Sequence, residues 1–177
     1  SHQGSLVNAN LSALDGKGIL RVHVHSDCMM LVTDNGEVWG AGYNGDRSFG
    51  IDFTGDSAAI TQAKLSSGAT DYVTGAVDVQ VEFVTGVGVC SFILLADGRV
   101  LSCGSNIDGS LGNGSLTADK TYFSEVLTAA GTPITDIVEI QGAGRGQIFM
   151  KTSTGDVWAT GRNHDGVFGT PTYPGYT

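Results

Sequence analysis

Two stretches of the chain place side-chain oxygens two residues apart among glycines, Asn106-Ile107-Asp108 and Asn163-His164-Asp165, a spacing that could hold calcium. The further carboxylates of an EF-hand-type loop, above all the bidentate glutamate, are missing, so no metal is assigned. His23 and His25 alternate in an apolar run and so share one face, as a zinc pair could. No third ligand is evident, and the reading adopted is two histidines on a solvated strand face. Asp71, Asp78, Glu82, Asp136 and Glu139 are carboxylates from which glycoside hydrolysis could draw an acid and a nucleophile. Nothing in their spacing sets two of them at a catalytic separation. Neither a phosphate-cradling glycine loop between strand and helix nor a nucleophile elbow occurs. The chain is expected to be non-enzymatic, with no catalytic residue, cofactor or metal.

Charge and composition narrow the partners. The 177 residues carry a net charge of −9 with only nine Lys and Arg, too few to cluster against phosphates, so nucleic acid is not an expected partner. Hydrophobic residues make up 41% of the chain and charged ones 15%, the balance of a globular domain. The apolar runs fall short of the 18 or so residues needed to cross a bilayer, and membrane insertion is not expected. Cys28 and Cys90 sit inside apolar runs and read as buried small hydrophobes, and with three cysteines no disulfide framework is implied. Ser1-His2-Gln3-Gly4-Ser5 reads as the scar of a cleaved expression tag, leaving 6–177 as a single domain taken from a longer protein.

The elements that must position any site repeat three times. GEVWGAGYNGDRSFG from Gly36, GRVLSCGSNIDGSLG from Gly98 and GDVWATGRNHDGVFG from Gly155 align without gaps. Each carries a valine (Val38, Val100, Val157), a second glycine (Gly42, Gly104, Gly161), an asparagine (Asn44, Asn106, Asn163) and a closing glycine (Gly50, Gly112, Gly169). Before each repeat an apolar run ends in a turn signal, Asn35-Gly36, Asp97-Gly98 or Thr154-Gly155, predicting a hairpin. A strand precedes each hairpin (ILRVHV, VDVQVEF, ITDIVEI), and a fourth follows in the first two units (AAITQAKL, TYFSEVLT). A period near 60 residues with four short strands and no helical stripe predicts an all-β chain of antiparallel propeller blades, with units at about 19–76, 77–133 and 134–177.

An apolar strand followed by Asp-Gly, Val-aromatic, Gly-x-Asn-x-x-Gly and Leu-Gly resembles the repeat of the RCC1 (regulator of chromosome condensation) family over about residues 19–169. The best match runs from Ala96-Asp97-Gly98-Arg99-Val100 to Gly104-Ser105-Asn106-Ile107-Asp108-Gly109-Ser110-Leu111-Gly112. Departures are Arg47 for a loop glycine; Ser48, Ser110 and Val167 for the frequent Gln; and Cys28, Cys90 and Gln147 for the frequent His. The resemblance implies a divergent member of the fold, without the nuclear exchange-factor role.

Repeated at one place in every unit, the loops at Gly42-Asn44-Gly50, Gly104-Asn106-Gly112 and Gly161-Asn163-Gly169 are expected to pin blade to blade through turns and close backbone approach. Three blades form an incomplete ring, because family members usually close with seven, and open edges invite pairing. Self-association as a homotrimer is expected to cover them, or else Leu6 to Leu14 folds back as a strand. Gly- and Thr-rich text with long loops at 51–75 and 112–120 resembles bacteriophage tail-fibre tips. The expected function is therefore receptor binding on the virion tail or an extracellular surface, with Tyr43, Tyr72, Tyr122 and Phe123 contacting a bacterial saccharide or protein. The alternatives are a secreted protein-binding or inhibitor propeller and a glycan hydrolase. The tail around Tyr173, Pro174 and Tyr176 is a further possible contact surface.

Overall fold

The computed structural model describes residues 11–25, 27–52, 55–68, 70–84, 88–116 and 118–169; residues 1–5, expected to be a tag scar, and the stretch 173–176 lie outside them. Three antiparallel sheets follow one another along the chain. The first orders β1 (Ile19–His25), β2 (Cys28–Thr33), β3 (Val38–Gly42) and β4 (Ser57–Gln62); the second β5 (Ala76–Val84), β6 (Gly88–Leu95), β7 (Val100–Gly104) and β8 (Lys120–Glu125). In the third, β9 (Ile137–Gly144), β10 (Gln147–Thr152) and β11 (Val157–Thr160) are the described strands. β9 begins three residues later than the alternation of ITDIVEI predicts. Ile134 instead donates its amide to the Val126 carbonyl and buries its side chain between the second and third sheets.

One turn chemistry builds all three hairpins. Thr33, Leu95 and Thr152 each accept the amide of the glycine three residues on (Gly36, Gly98, Gly155) and donate to the carbonyl one residue beyond it. This is a three-residue loop whose glycine adopts positive φ, 79°, 83° and 96° in turn.

The sheets stack face on face. Met30, Val32, Val38 and Phe49 of the first meet Val79, Val81, Ile93 and Leu101 of the second in one core. Phe92, Leu94, Val100 and Leu111 meet Ile137, Ile140, Ile148 and Met150 of the third in another. β6 lies between two neighbouring sheets, so all of its residues are buried and, Ser91 apart, its text is apolar. The first strands β1, β5 and β9 lie side by side along the inner margin of the stack. The chain is thus an all-β series of propeller-like blades with an unclosed ring.

β1 reverses the usual polarity of an alternating strand. Arg21 and His23 turn toward the second sheet, while Leu20, Val22 and Val24 are 44%, 52% and 61% exposed. Val79 and Val81, which hold the positions of Val22 and Val24 in β5, are fully buried because a sheet precedes theirs. Part of this open face is covered from the N-terminal side. A single 3-10 turn, Ser12–Leu14, buries Leu14 against Leu31 and Ile60, with Leu11 and Trp39 beside them. Over residues 11–14 the returning segment is a helical turn rather than a strand, because Leu14 reaches the sheet from above instead of pairing along its edge; 6–10 lie outside the described residues.

Candidate functional site

The glycine-rich loops spend their polar groups on themselves and on the neighbouring blade. The side-chain carbonyls of Asn44, Asn106 and Asn163 each accept an amide five residues on, from Phe49 at 3.1 Å, Leu111 at 2.9 Å and Phe168 at 3.1 Å. Asn106 also donates to Asn113, Ser115 and Ala118. Its oxygen is therefore engaged by backbone rather than open to calcium. Gly42, Gly104 and Gly161 have φ near +100° (103°, 100° and 99°), and a β-carbon there would run into the backbone carbonyl of Asp27, Val89 or Gly146. Only glycine permits both the conformation and the approach.

Junction contacts follow from the same loops. Asp46 accepts the Val89 amide at 3.1 Å and Ser48 O accepts the Cys103 thiol at 3.1 Å, both between the first and second sheets. Gly109 O accepts the Thr160 hydroxyl at 3.0 Å between the second and third. Within each of the first two blades, Gly50 and Gly112 accept the amides of Lys64 and Leu127 at 2.8 and 2.7 Å. Cys28, Cys90 and Cys103 are all free and buried, and burial pushes the Cys28 thiol up to about 11.

The other residues weighed for chemistry are dispersed. His23 and His25 share a face, but it is the face toward the second sheet and not a solvated one. His23 Nδ1 accepts the Val81 amide at 3.0 Å, and His25 stacks on Phe83 with centroids 6.2 Å apart. Burial and the neighbouring His25 hold His23 below its ordinary value, against the pull of Asp78. Asp78 and Glu82 lie four residues apart on β5, about 13 Å at 3.3 Å per residue, beyond the reach of paired glycosidase carboxylates. Glu82 is buried and accepts the Gly144 amide at 2.8 Å; burial raises its carboxyl. Asp136 accepts from the Ser153 hydroxyl and Glu139 pairs with Lys151. Among the described residues no group of three His, Cys, Asp or Glu side chains stands close enough to hold a metal ion.

A polar and aromatic cluster does form, at the outer rim of the first junction. Lys64 follows β4; its amide bonds Gly50 O and its carbonyl accepts the Phe123 amide at 3.1 Å, which stitches the first blade to β8 of the second. So held, its ammonium reaches Asp52 at 2.6 Å and lies 5.8 Å from the centre of the Tyr72 ring. The Tyr122 hydroxyl donates to the other Asp52 oxygen. Bonds from Lys64 and then Tyr122 lower the Asp52 carboxyl; the same bonds raise Lys64 and Tyr122. All three shifts hold the groups in their ordinary charge states, so none makes a free amine, a phenolate or a protonated acid. The arrangement suits binding of hydroxyl-rich or charged groups.

Tyr72 and Tyr122 thus come together, while two other proposed contacts do not join them. Phe123 is 3% exposed and packs in the core between the first and second sheets against Gly50, because alternation on β8 turns it inward when Tyr122 turns outward. Tyr43 follows β3 at the Ser57 end of β4, whereas Lys64 lies beyond the Gln62 end, so roughly 16 Å of strand separates them at about 3.3 Å per residue. Asp52 and Lys64 were not among the residues singled out by sequence. They sit twelve apart on either side of β4 and carry no motif.

No sequence-family profile matches the chain, and no curated protein matches it by sequence. Solved structures do match. Human WBSCR16 superposes with a TM-score of 0.67 at 18% identity over 90% of this chain and 37% of its own. Yeast RCC1 (Prp20) bound to Kap60 gives 0.61 at 18% identity, over 83% and 30%. Prp20p from Saccharomyces cerevisiae gives 0.56 at 18%, over 83% and 31%. The chain spans about a third of the length of these proteins. Repeat text, blade topology and superposition agree that the chain has the RCC1-like propeller fold, as three consecutive blades of it.

Proposed function

We propose that the chain is a non-enzymatic binding module, the receptor-binding tip of a bacteriophage tail fibre, which presents Asp52, Lys64, Tyr72 and Tyr122 to a saccharide or protein on the bacterial surface. One observation carries the binding site. The rim bridge between Lys64 and Tyr72 recurs at the second junction between Leu127 and Pro133, in the same backbone hydrogen-bond setting. An apolar pair serves the fold there, so the charged and aromatic set at the first junction is not required for packing. An ion pair whose carboxylate stands open to water adds little stability. A rigid scaffold carrying a polar-aromatic rim is a common arrangement for recognition. On this reading the module sits on a virion tail or other extracellular surface and works as a homotrimer.

Protein recognition is the second reading, favoured by one finding: yeast Prp20 is seen bound to Kap60, and its binding properties to Gsp1p and histones are described. Titration of purified surface polysaccharide and of host outer-membrane protein against the chain separates the two. Lys64→Leu, copying Leu127, is expected to lower affinity at least tenfold with the urea midpoint nearly unchanged. Unchanged affinity in this variant would remove the rim as the site, and release of reducing ends from the polysaccharide would replace binding by hydrolysis.

A further inference from the structure

We propose that copies of this chain join head to tail, the loop 161–169 of one seating in a hollow on the first sheet of the next. The argument comes from the two junctions inside the chain, which are built alike. In each, the glycine-rich loop of one blade lies over the start of the second strand and the end of the third strand of the following blade. Asp46 and Ser48 lie over Val89, Cys103 and Gly104; Gly109 and Ser110 lie over Gly146 and Thr160. Loop and seat are thus a plug and a socket, and each described blade carries one of each.

Among the described residues one of each has no counterpart. In the first sheet the positions of Val89, Cys103 and Gly104 are held by Asp27, Ala41 and Gly42. With Val24, Cys28, Met29 and Ser57 these residues line an open hollow of about 420 Å³. At the other end, the third loop repeats the first two. Asn163 bonds Phe168 as Asn44 bonds Phe49, so the loop is formed, while Val167 at the position of Ser48 and Ser110 is 47% exposed. Asp165, at the position of Asp46, is met by Arg145 at 3.5 Å, so the plug brings its own cation toward Asp27.

Charge along the inner margin favours the same pairing. Arg21, Asp78 and Glu139 occupy one register position, opposite Val32, Leu94 and Lys151. The first junction sets Arg21 against Asp78 at 4.0 Å, and in the third sheet the same position is held by Glu139, which pairs with Lys151 at 3.4 Å. A head-to-tail contact would set Glu139 beside Arg21 of a second copy, again pairing opposite signs. The Leu11–Leu14 turn is no obstacle, since it covers the outer half of the first sheet at Leu31 and Ile60 and leaves Leu20, Val22 and Val24 open. Such a heterologous contact closes into a ring or runs on as a filament, according to the rotation per copy.

Complementation tests the inference without reference to any ligand of the rim. Val167→Arg spoils the plug and Val24→Arg the socket, both at exposed positions that the fold tolerates. Over a dilution series the unaltered chain is expected to scatter light at multiples of 18.3 kDa. Either variant alone is expected to raise the dissociation concentration at least tenfold. Mixed together, the two variants are expected to form a species of two chains, since one retains the plug and the other the socket. A monomeric unaltered chain, an assembly that survives both substitutions, or a mixture that fails to associate would each overturn the proposal. A longer version of this protein that closes the ring within one chain belongs to the first of these outcomes.

Discussion

Val38, Val100 and Val157 are one position of the repeat, each following the hairpin turn and pairing across to β2, β6 or β10. Val38 and Val100 are 0% exposed and Val157 is 63% exposed, because the first two face a following sheet and the third does not. The same substitution should therefore have different costs. Val100→Ala removes the equivalent of two buried methylenes, about 1.6 kcal/mol at 0.8 each, and leaves a cavity between Leu94 and Ile137 that brings the total to about 2 kcal/mol or more. Val157→Ala removes carbon already in contact with water and should cost less than about 0.5 kcal/mol. Urea unfolding followed by circular dichroism, at dilutions where the protein is monomeric, measures both. Equal costs in the monomer would show that the outer face of the third sheet is covered within the chain, and the account of both open faces would fail. At concentrations where copies associate, Val157→Ala should instead weaken assembly.

Three further outcomes follow from single contacts. His23 is held below its ordinary value of 6.5 and accepts an amide, so the unfolded chain binds more protons just below that pH; stability is full above 6.5 and falls as the pH drops below it. His23→Gln, which copies Gln80 and Gln141, should remove this part of the acid sensitivity of the urea midpoint, and parallel pH profiles for the two proteins would contradict the assignment. Glu82 is raised above 4.5 by burial, so its contribution is present below 4.5 and is lost as pH rises through the higher folded value. Glu82→Gln should accordingly gain on the unaltered chain between pH 5 and 8 in thermal melts; a variant that loses ground over that range would mean the carboxylate is the form the fold prefers. Gly104→Ala, at φ 100° and against the Val89 carbonyl, should destabilise by at least about 2 kcal/mol in chemical unfolding, and a neutral result would show that the loop is free to move away.

Much of the scaffold is local information and could be read directly. The hairpin turns at Gly36, Gly98 and Gly155, the pairing they impose and the Asn-to-amide bonds of the three loops each involve residues within about five positions of one another. Repetition makes each reading support the other two. Strand starts were less legible: Ile134 continues the alternation of β9 but is drawn out of it by a bond to Val126, which belongs to the preceding blade.

The candidate site was legible only in part. Tyr72 and Tyr122 could be marked as aromatic loop and rim residues, but their meeting depends on Lys64 being stitched between Gly50 and Phe123, and Asp52 and Lys64 have no motif to announce them. Phe123 was misjudged because an aromatic residue beside an exposed tyrosine reads the same whether or not another sheet covers its face.

By itself, then, the amino-acid order determined that there are three like sheets, how each hairpin turns, and where glycine is obligatory, since all of this rests on backbone bonds between near neighbours in the chain. Only the tertiary structure decided which copies of a position are covered, which way β1 turns its apolar side, and which side chains gather at the rim. Burial is a property of what stands opposite, and Val38, Val100 and Val157 are written alike although only two of them have a sheet to face.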